Sequence, residues 1–228
     1  MKKTFSAELA YVFATVLIAF GVAFAAAADF GVSMVVAPAY ILSLKVQALS
    51  FGQAEYVMQA FVFVALCVIV HKFNPVYLFS FVSCLIYGWV LDLIRATIGF
   101  LNPSVCPPGT LPMAVRIILF VISILGTALS IALYIRSYIP CQVYDLFPKE
   151  VSIYKNVPFG KFKSGYDIVS LLVACVMTLI FFGKFRGIGI GTIIITLVNG
   201  SIIEFIGKWL DRHYTFTPIF PKLAAICS

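Results

Sequence analysis

Six runs free of charged and histidine side chains constrain this chain most. They cover residues 9–28, 56–70, 73–91, 117–135, 168–183 and 187–203, with lengths of 20, 15, 19, 19, 16 and 17 residues. A helix crossing the hydrocarbon core of a bilayer needs roughly 20 apolar residues, with a range of about 17–25. The runs therefore predict an all-α membrane protein with six transmembrane helices. The second and fifth are short, and extend only if Glu55 or Asp167 lies at an interface or in a polar cavity. Composition closes off the alternatives: 62% of the side chains are apolar and 11% charged, against about 45–50% and 25% in a soluble domain. A soluble enzyme, a nucleic-acid-binding domain and a disordered chain are excluded. The net charge of +7 belongs to loops rather than to a nucleic-acid surface.

Two further uncharged stretches are not read as spans. Residues 96–115 hold Pro103, Pro107, Pro108 and Pro112, which makes them a loop. Residues 30–44 are broken by Pro38 and read as a re-entrant or interfacial segment. With the N-terminus in the cytoplasm, six spans place 11 of the 16 Lys and Arg residues inside, as the positive-inside tendency requires. Both termini are then cytoplasmic, in a bacterial inner (cytoplasmic) membrane. A rival reading takes Lys2-Lys3, the first apolar run and Ala26-Ala27-Ala28-Asp29 as a cleaved signal peptide. The run is long for that role, and it has a counterpart later in the chain.

That counterpart belongs to an internal duplication. Leu17-Ile18-Ala19-Phe20-Gly21-Val22-Ala23 resembles Ile122-Ser123-Ile124-Leu125-Gly126-Thr127-Ala128 at an offset of 105. Phe51-Gly52 before Gln59 resembles Phe159-Gly160 before Asp167 at 108, and Gly88 to Asp92 resembles Gly200 to Glu204 at 112. Ordered matches in all three helices predict two copies of one unit. Three crossings are odd, so the second copy must enter from the opposite face. The expected architecture is a 3+3 inverted-topology repeat, with a Pro-broken re-entrant or interfacial segment after helix one of each half. The divisions are a first repeat at 1–100, an extracytoplasmic Pro-rich linker at 101–112, a second repeat at 113–212 and a cytoplasmic tail at 213–228.

Ionisable groups at membrane depth are costly and default to functional candidates. Asp92 and Glu204 occupy matched positions, each four residues after a glycine, and are the expected coupling pair. Arg95 and Lys208 follow them on the same helix faces, so plain ion pairs are the competing explanation. Glu55 and Asp167 open the second helix of each half, where the helix dipole alone favours an acid. The expected substrate-binding set is Glu55, Tyr56, Gln59, Tyr87, Asp92, Asp167, Asn199 and Glu204. The glycines from Gly183 to Gly191 predict a tight turn with close helix packing, not a phosphate loop. Ala19, Ala23 and Ala27 form a small-residue face, internal or towards a partner. No metal-ligand spacing or nucleophile motif occurs, so no catalytic residues, metal or cofactor are expected.

Several segments resemble the YczE/YitT-like bacterial integral membrane proteins. They are Gly31-Val32-Ser33-Met34-Val35-Val36-Ala37-Pro38-Ala39-Tyr40, Ser50-Phe51-Gly52-Gln53-Ala54-Glu55-Tyr56, Tyr77-Leu78-Phe79-Ser80-Phe81 and Gly187-Ile188-Gly189-Ile190-Gly191-Thr192. The resemblance implies a multi-pass membrane protein and a presumed transporter without an assigned substrate. The chain departs from that family's Gly-x-Ser-Pro-Trp pattern at Val36-Ala37-Pro38. The expected function is a secondary transporter of a small polar or amphipathic solute, proton-coupled through Asp92 and Glu204. Its expected partners are the lipid bilayer and the solute, with a second copy of the chain as a candidate and no nucleic acid. Two alternatives stay open: the substrate-binding subunit of an energy-coupling-factor vitamin importer, and a membrane scaffold without a solute path.

Overall fold

A computed structural model describes residues 3–71 and 75–227, leaving aside the side chains of residues 76, 223, 226 and 227. Six helices are long and apolar enough to cross a membrane: α1 (Ala7–Ala28), α3 (Phe51–Val70), α4 (Val76–Thr97), α5 (Met113–Tyr134), α7 (Phe159–Phe182) and α8 (Ile190–His213). At about 1.5 Å per residue each reaches roughly 30–36 Å, enough for the hydrocarbon core. Three short helices accompany them, α2 (Ala37–Lys45), α6 (Val143–Tyr154) and α9 (Pro221–Cys227), and two strands, β1 (Lys3–Ser6) and β2 (Tyr214–Thr217).

The sequence count of six spans stands, and residues 30–44 hold only the short α2, with Pro38 in its first turn. Pro148 sits inside α6. The helices are longer than the uncharged runs. α3 starts at Phe51 because Ser50 and Gln53 form a capping box, the Ser50 hydroxyl accepting from the Gln53 N–H and the Gln53 side chain accepting from the Ser50 N–H. Glu55 is thereby carried past the first turn. α7 likewise starts at Phe159, which puts Asp167 two turns inside it.

α1 and α5 form the centre of the bundle, antiparallel and tightly packed. Small residues permit this approach. A Cβ on Gly21 would lie 3.2 Å from the Ser123 carbonyl oxygen and would collide with the Thr127 methyl. The Ser130 hydroxyl donates to the Ala14 carbonyl at 2.7 Å, and the Tyr134 hydroxyl donates to Thr15 at 2.9 Å. The predicted alanine face of Ala19, Ala23 and Ala27 is buried within the molecule. Around this pair, α4 packs on α1 and α8 on α5. α2 lies between α3 and α7, and α6 packs on α3, α4 and α7.

The chain ends meet. β1 and β2 pair in parallel, Lys3 opposite Tyr214 through Ser6 opposite Thr217. The start of α1 and the end of α8 therefore lie on one face, as an even number of crossings demands. The segment after α8 is docked rather than loose. Glu8 accepts from the Tyr138 hydroxyl at 2.6 Å and from the backbone N–H groups of Ile219 and Phe220 at 2.8 and 3.0 Å. On the opposite face Arg116 donates to the carbonyls of Ala28 and Asp29, and pairs with the Asp29 carboxylate at 3.5 Å. Partial burial pushes the Asp29 carboxyl above its ordinary range, and Arg116 pulls the other way.

Candidate functional site

The two short helices reach into the bundle. Val32 donates to the carbonyl of Gly187, and Lys45 reaches the carbonyl of Phe181, so residues 32 and 45 both sit at the α7–α8 turn. Between them, Val35 and Pro38 line a cavity with residues in the middle of α3 and α7. The α7–α8 turn thus holds both ends of the 32–45 segment. Gly187 makes this turn possible, with φ of +75°, and a Cβ there would lie 2.9 Å from the Tyr40 ring. α6 is tied to α4 at both ends. Its lead-in is fixed where Ser83 donates to the Pro140 carbonyl at 2.8 Å. At its far end the Tyr77 hydroxyl donates to Glu150 at 2.8 Å.

The start of α6 meets the middle of α3. Gln59 is fully buried; its amide N–H donates to the Gln142 side chain at 3.1 Å, and its oxygen accepts from the Val143 N–H at 3.1 Å. One turn away, Glu55 is fully buried, and among the described residues neither carboxylate oxygen has a hydrogen-bond partner. The Tyr144 hydroxyl and the Gln59 amide flank it as neighbouring donors. Tyr87 of α4 is buried close by, and its hydroxyl and that of Tyr144 are also unpartnered. A second nitrogen-borne donor, the Gln142 amide, is left over too. Three unmet polar side chains beside an unmet carboxyl group are unusual in a native interior.

Of the sequence-predicted residues, the structure brings Glu55, Gln59 and Tyr87 together here. Tyr56 lies one residue on, outside the cluster, its hydroxyl donating to the Leu85 carbonyl at 2.9 Å and its ring against Gly88. Asp92 is at the near end of α3, where it accepts from the Gly52 N–H at 2.8 Å and from the Ser50 hydroxyl. A carboxylate there satisfies orphan donors and complements the helix dipole. Asp167 pairs with Lys163 at 3.1 Å, and Lys163 also faces Asp145 of α6 at 3.8 Å. Glu204 lies on the exposed side of α8 and pairs with Lys208 at 2.6 Å, one turn along. Asn199 sits partly buried on α8, its side-chain oxygen unpartnered. The four acids Glu55, Asp92, Asp167 and Glu204 thus do not converge on one cavity.

Gln142 and Tyr144 are the site residues that the expected set lacked. They stand in a polar stretch of the second half, and only the fold brings that stretch against the first. The signal available was Pro140 just ahead of Gln142, a residue type that ends one segment and positions the next helix start.

Fold and cluster together define a polytopic α-helical membrane protein with a polar centre buried between its spans. Within that class, the chain belongs to a family of unknown function, DUF6198, whose model matches residues 5–208. No curated protein and no solved structure matches it.

Proposed function

We propose that the chain is a secondary transporter of a small polar or amphipathic solute, working by alternating access between two inverted repeats. Its proton or cation is held by Glu55. The observation that carries this reading is the Glu55 carboxyl group, fully buried among membrane spans with no partner among the described residues. Such a group is expensive at membrane depth and persists where it has work to do. It lies beside the start of a short interior helix, the arrangement by which transporters of this kind build their sites. Asp92 and Glu204 remain the coupling alternative, but each is engaged with a local partner.

The repeat reading has support in the packing. The element order long, short, long, long occurs twice, as α1 to α4 and α5 to α8. Each short helix packs on a long helix of both halves: α2 on α3 and α7, and α6 on α7 and α3. Both read as re-entrant segments that enter from opposite faces. The halves also differ as alternating access requires. A Cβ on Gly52 would collide with the Gly88 carbonyl oxygen, so α3 and α4 are closed on each other. The matched glycines Gly160 and Gly200 have open space around them among the described residues, and α7 and α8 are splayed. The likeness to the YczE/YitT-like proteins agrees with this reading. The alanine face that a capture subunit would turn towards a partner is buried internally.

The test uses the purified chain in liposomes holding a pH-sensitive dye, presented with a panel of small amines, amino acids and organic acids. Saturable proton movement driven by a panel member, lost in Glu55→Gln, is expected. Proton movement equal in Glu55→Gln and the natural chain, or no response to any panel member, overturns the proposal.

A further inference from the structure

A cavity of about 670 Å³ lies between α3 and α7, roofed by α6. Its size is that of a small-molecule site. Its walls are chiefly apolar, with Met58, Val62, Phe162 and Val173 among them, and Tyr144 stands at the wall nearest α6. Tyr144 is 6% exposed, and its hydroxyl has no partner. On its other side lies the Glu55 carboxyl group. No ion pair in the described structure involves Glu55.

We infer that this cavity and Glu55 form one binding site for a lipophilic organic cation, its charge at Glu55 and its apolar body between α3 and α7. The inference rests on the transport reading and names its substrate class. The chemistry is complementary. A carboxylate in a low-dielectric interior requires a proton or a cation, and the surrounding chain supplies no cation. The groups facing it are Cys84 and Tyr87 of α4, Gln59 on its own helix and Tyr144 of α6, with Tyr166 of α7 beyond Tyr144. All are neutral in their ordinary state, and the tyrosine faces attract cations. The apolar walls exclude water from the body of the ligand, which an inorganic cation would leave unused. Proton and organic cation then compete for one carboxyl group. That competition is an exchange mechanism: one leaves as the other arrives, with charge conserved at Glu55.

Lys161 is an exposed cation at the rim of the same cavity. An anionic amphiphile with its head there is the competing occupant, and the experiment separates the two. Radiolabelled tetraphenylphosphonium is titrated onto the purified full chain in lipid nanodiscs, with lipophilic amines and decanoate as competitors. Expected are saturable binding, displacement by the amines, weakening as pH falls, and about tenfold or greater loss of affinity in Glu55→Gln. Val173→Trp, which fills the cavity and leaves Glu55 intact, also loses binding. Equal binding by Glu55→Gln, or displacement by decanoate alone, overturns the inference. If neither the phosphonium nor any amine binds while Glu55-dependent proton movement persists in liposomes, the cation assignment fails and transport stands. If the cation binds at Glu55 and no solute moves protons, the site stands and transport fails.

Discussion

Gly88 and Gly200 offer a matched experiment on packing. In Gly88→Ala the new Cβ would collide with the Tyr56 ring, lying 2.9 Å from its Cζ, and would sit 3.0 Å from the Gly52 carbonyl oxygen. The ring cannot swing away freely, because its hydroxyl is bonded to the Leu85 carbonyl. Forcing a methyl into a filled site costs about 1–3 kcal/mol. Replacing a helical glycine by alanine returns about 0.5–1 kcal/mol. In Gly200→Ala only the second effect operates, because nothing lies within 4 Å of the new Cβ among the described residues. The helix term is common to both, so the difference between the variants isolates the α3–α4 contact at about 1–3 kcal/mol. For a chain of this size that is about 2–12 °C in apparent Tm, using about 2–4 °C per kcal/mol. Thermal unfolding in nanodiscs, followed by tryptophan fluorescence, measures it. Gly88→Ala should melt well below Gly200→Ala, and Gly200→Ala at or above the natural chain. Equal losses would mean that α8 is packed at Gly200, and the splayed α7–α8 pair would be refuted.

Other expectations follow from single contacts. Asp92→Ala removes the acceptor for the Gly52 N–H and the Ser50 hydroxyl, and should lower stability by about 0.5–2 kcal/mol in the same melting assay. Glu8→Ala deletes the group that holds Ile219 and Phe220; hydrogen exchange should rise across residues 214–227 while α5 stays protected. Burial pushes the Cys141 thiol up to about 12, so an impermeant maleimide at pH 8 should leave it unmodified. Cys106, in the loop facing away from β1 and β2, should be labelled only from the side opposite the termini.

The spans were legible because hydrophobicity is local: each apolar run finds lipid whatever its neighbours do. Helix ends were less so. Ser50 and Gln53 cap α3 five residues ahead of Tyr56, and that cap decides whether Glu55 lies at a surface or inside. Its first-turn reading fails for that reason. The matched positions of Asp92 and Glu204 were visible as a pattern, yet their environments were not. One faces the donors of a neighbouring helix start, and the other an exposed lysine on its own helix. The encounter of Gln142 and Tyr144 with Glu55 spans more than 80 residues of sequence, and no spacing rule connects them.

The proposed repeat also accounts for why only one acid is left unpaired. At the offset of 108 that relates Phe51-Gly52 to Phe159-Gly160, Glu55 corresponds to Lys163 and Gln59 to Asp167. In the second half the two charges neutralise each other at 3.1 Å, one turn apart on α7. In the first half the corresponding pair is an acid and an amide, so the acid has no charged partner on its helix and the amide anchors α6 instead. A second unpaired charge would double the desolvation cost without adding a path. In the proposed mechanism, rocking of two halves would expose one central group to either face in turn. A single carboxyl group beside α6 would then suffice for the proposed exchange, with the Lys163–Asp167 pair leaving the other half neutral.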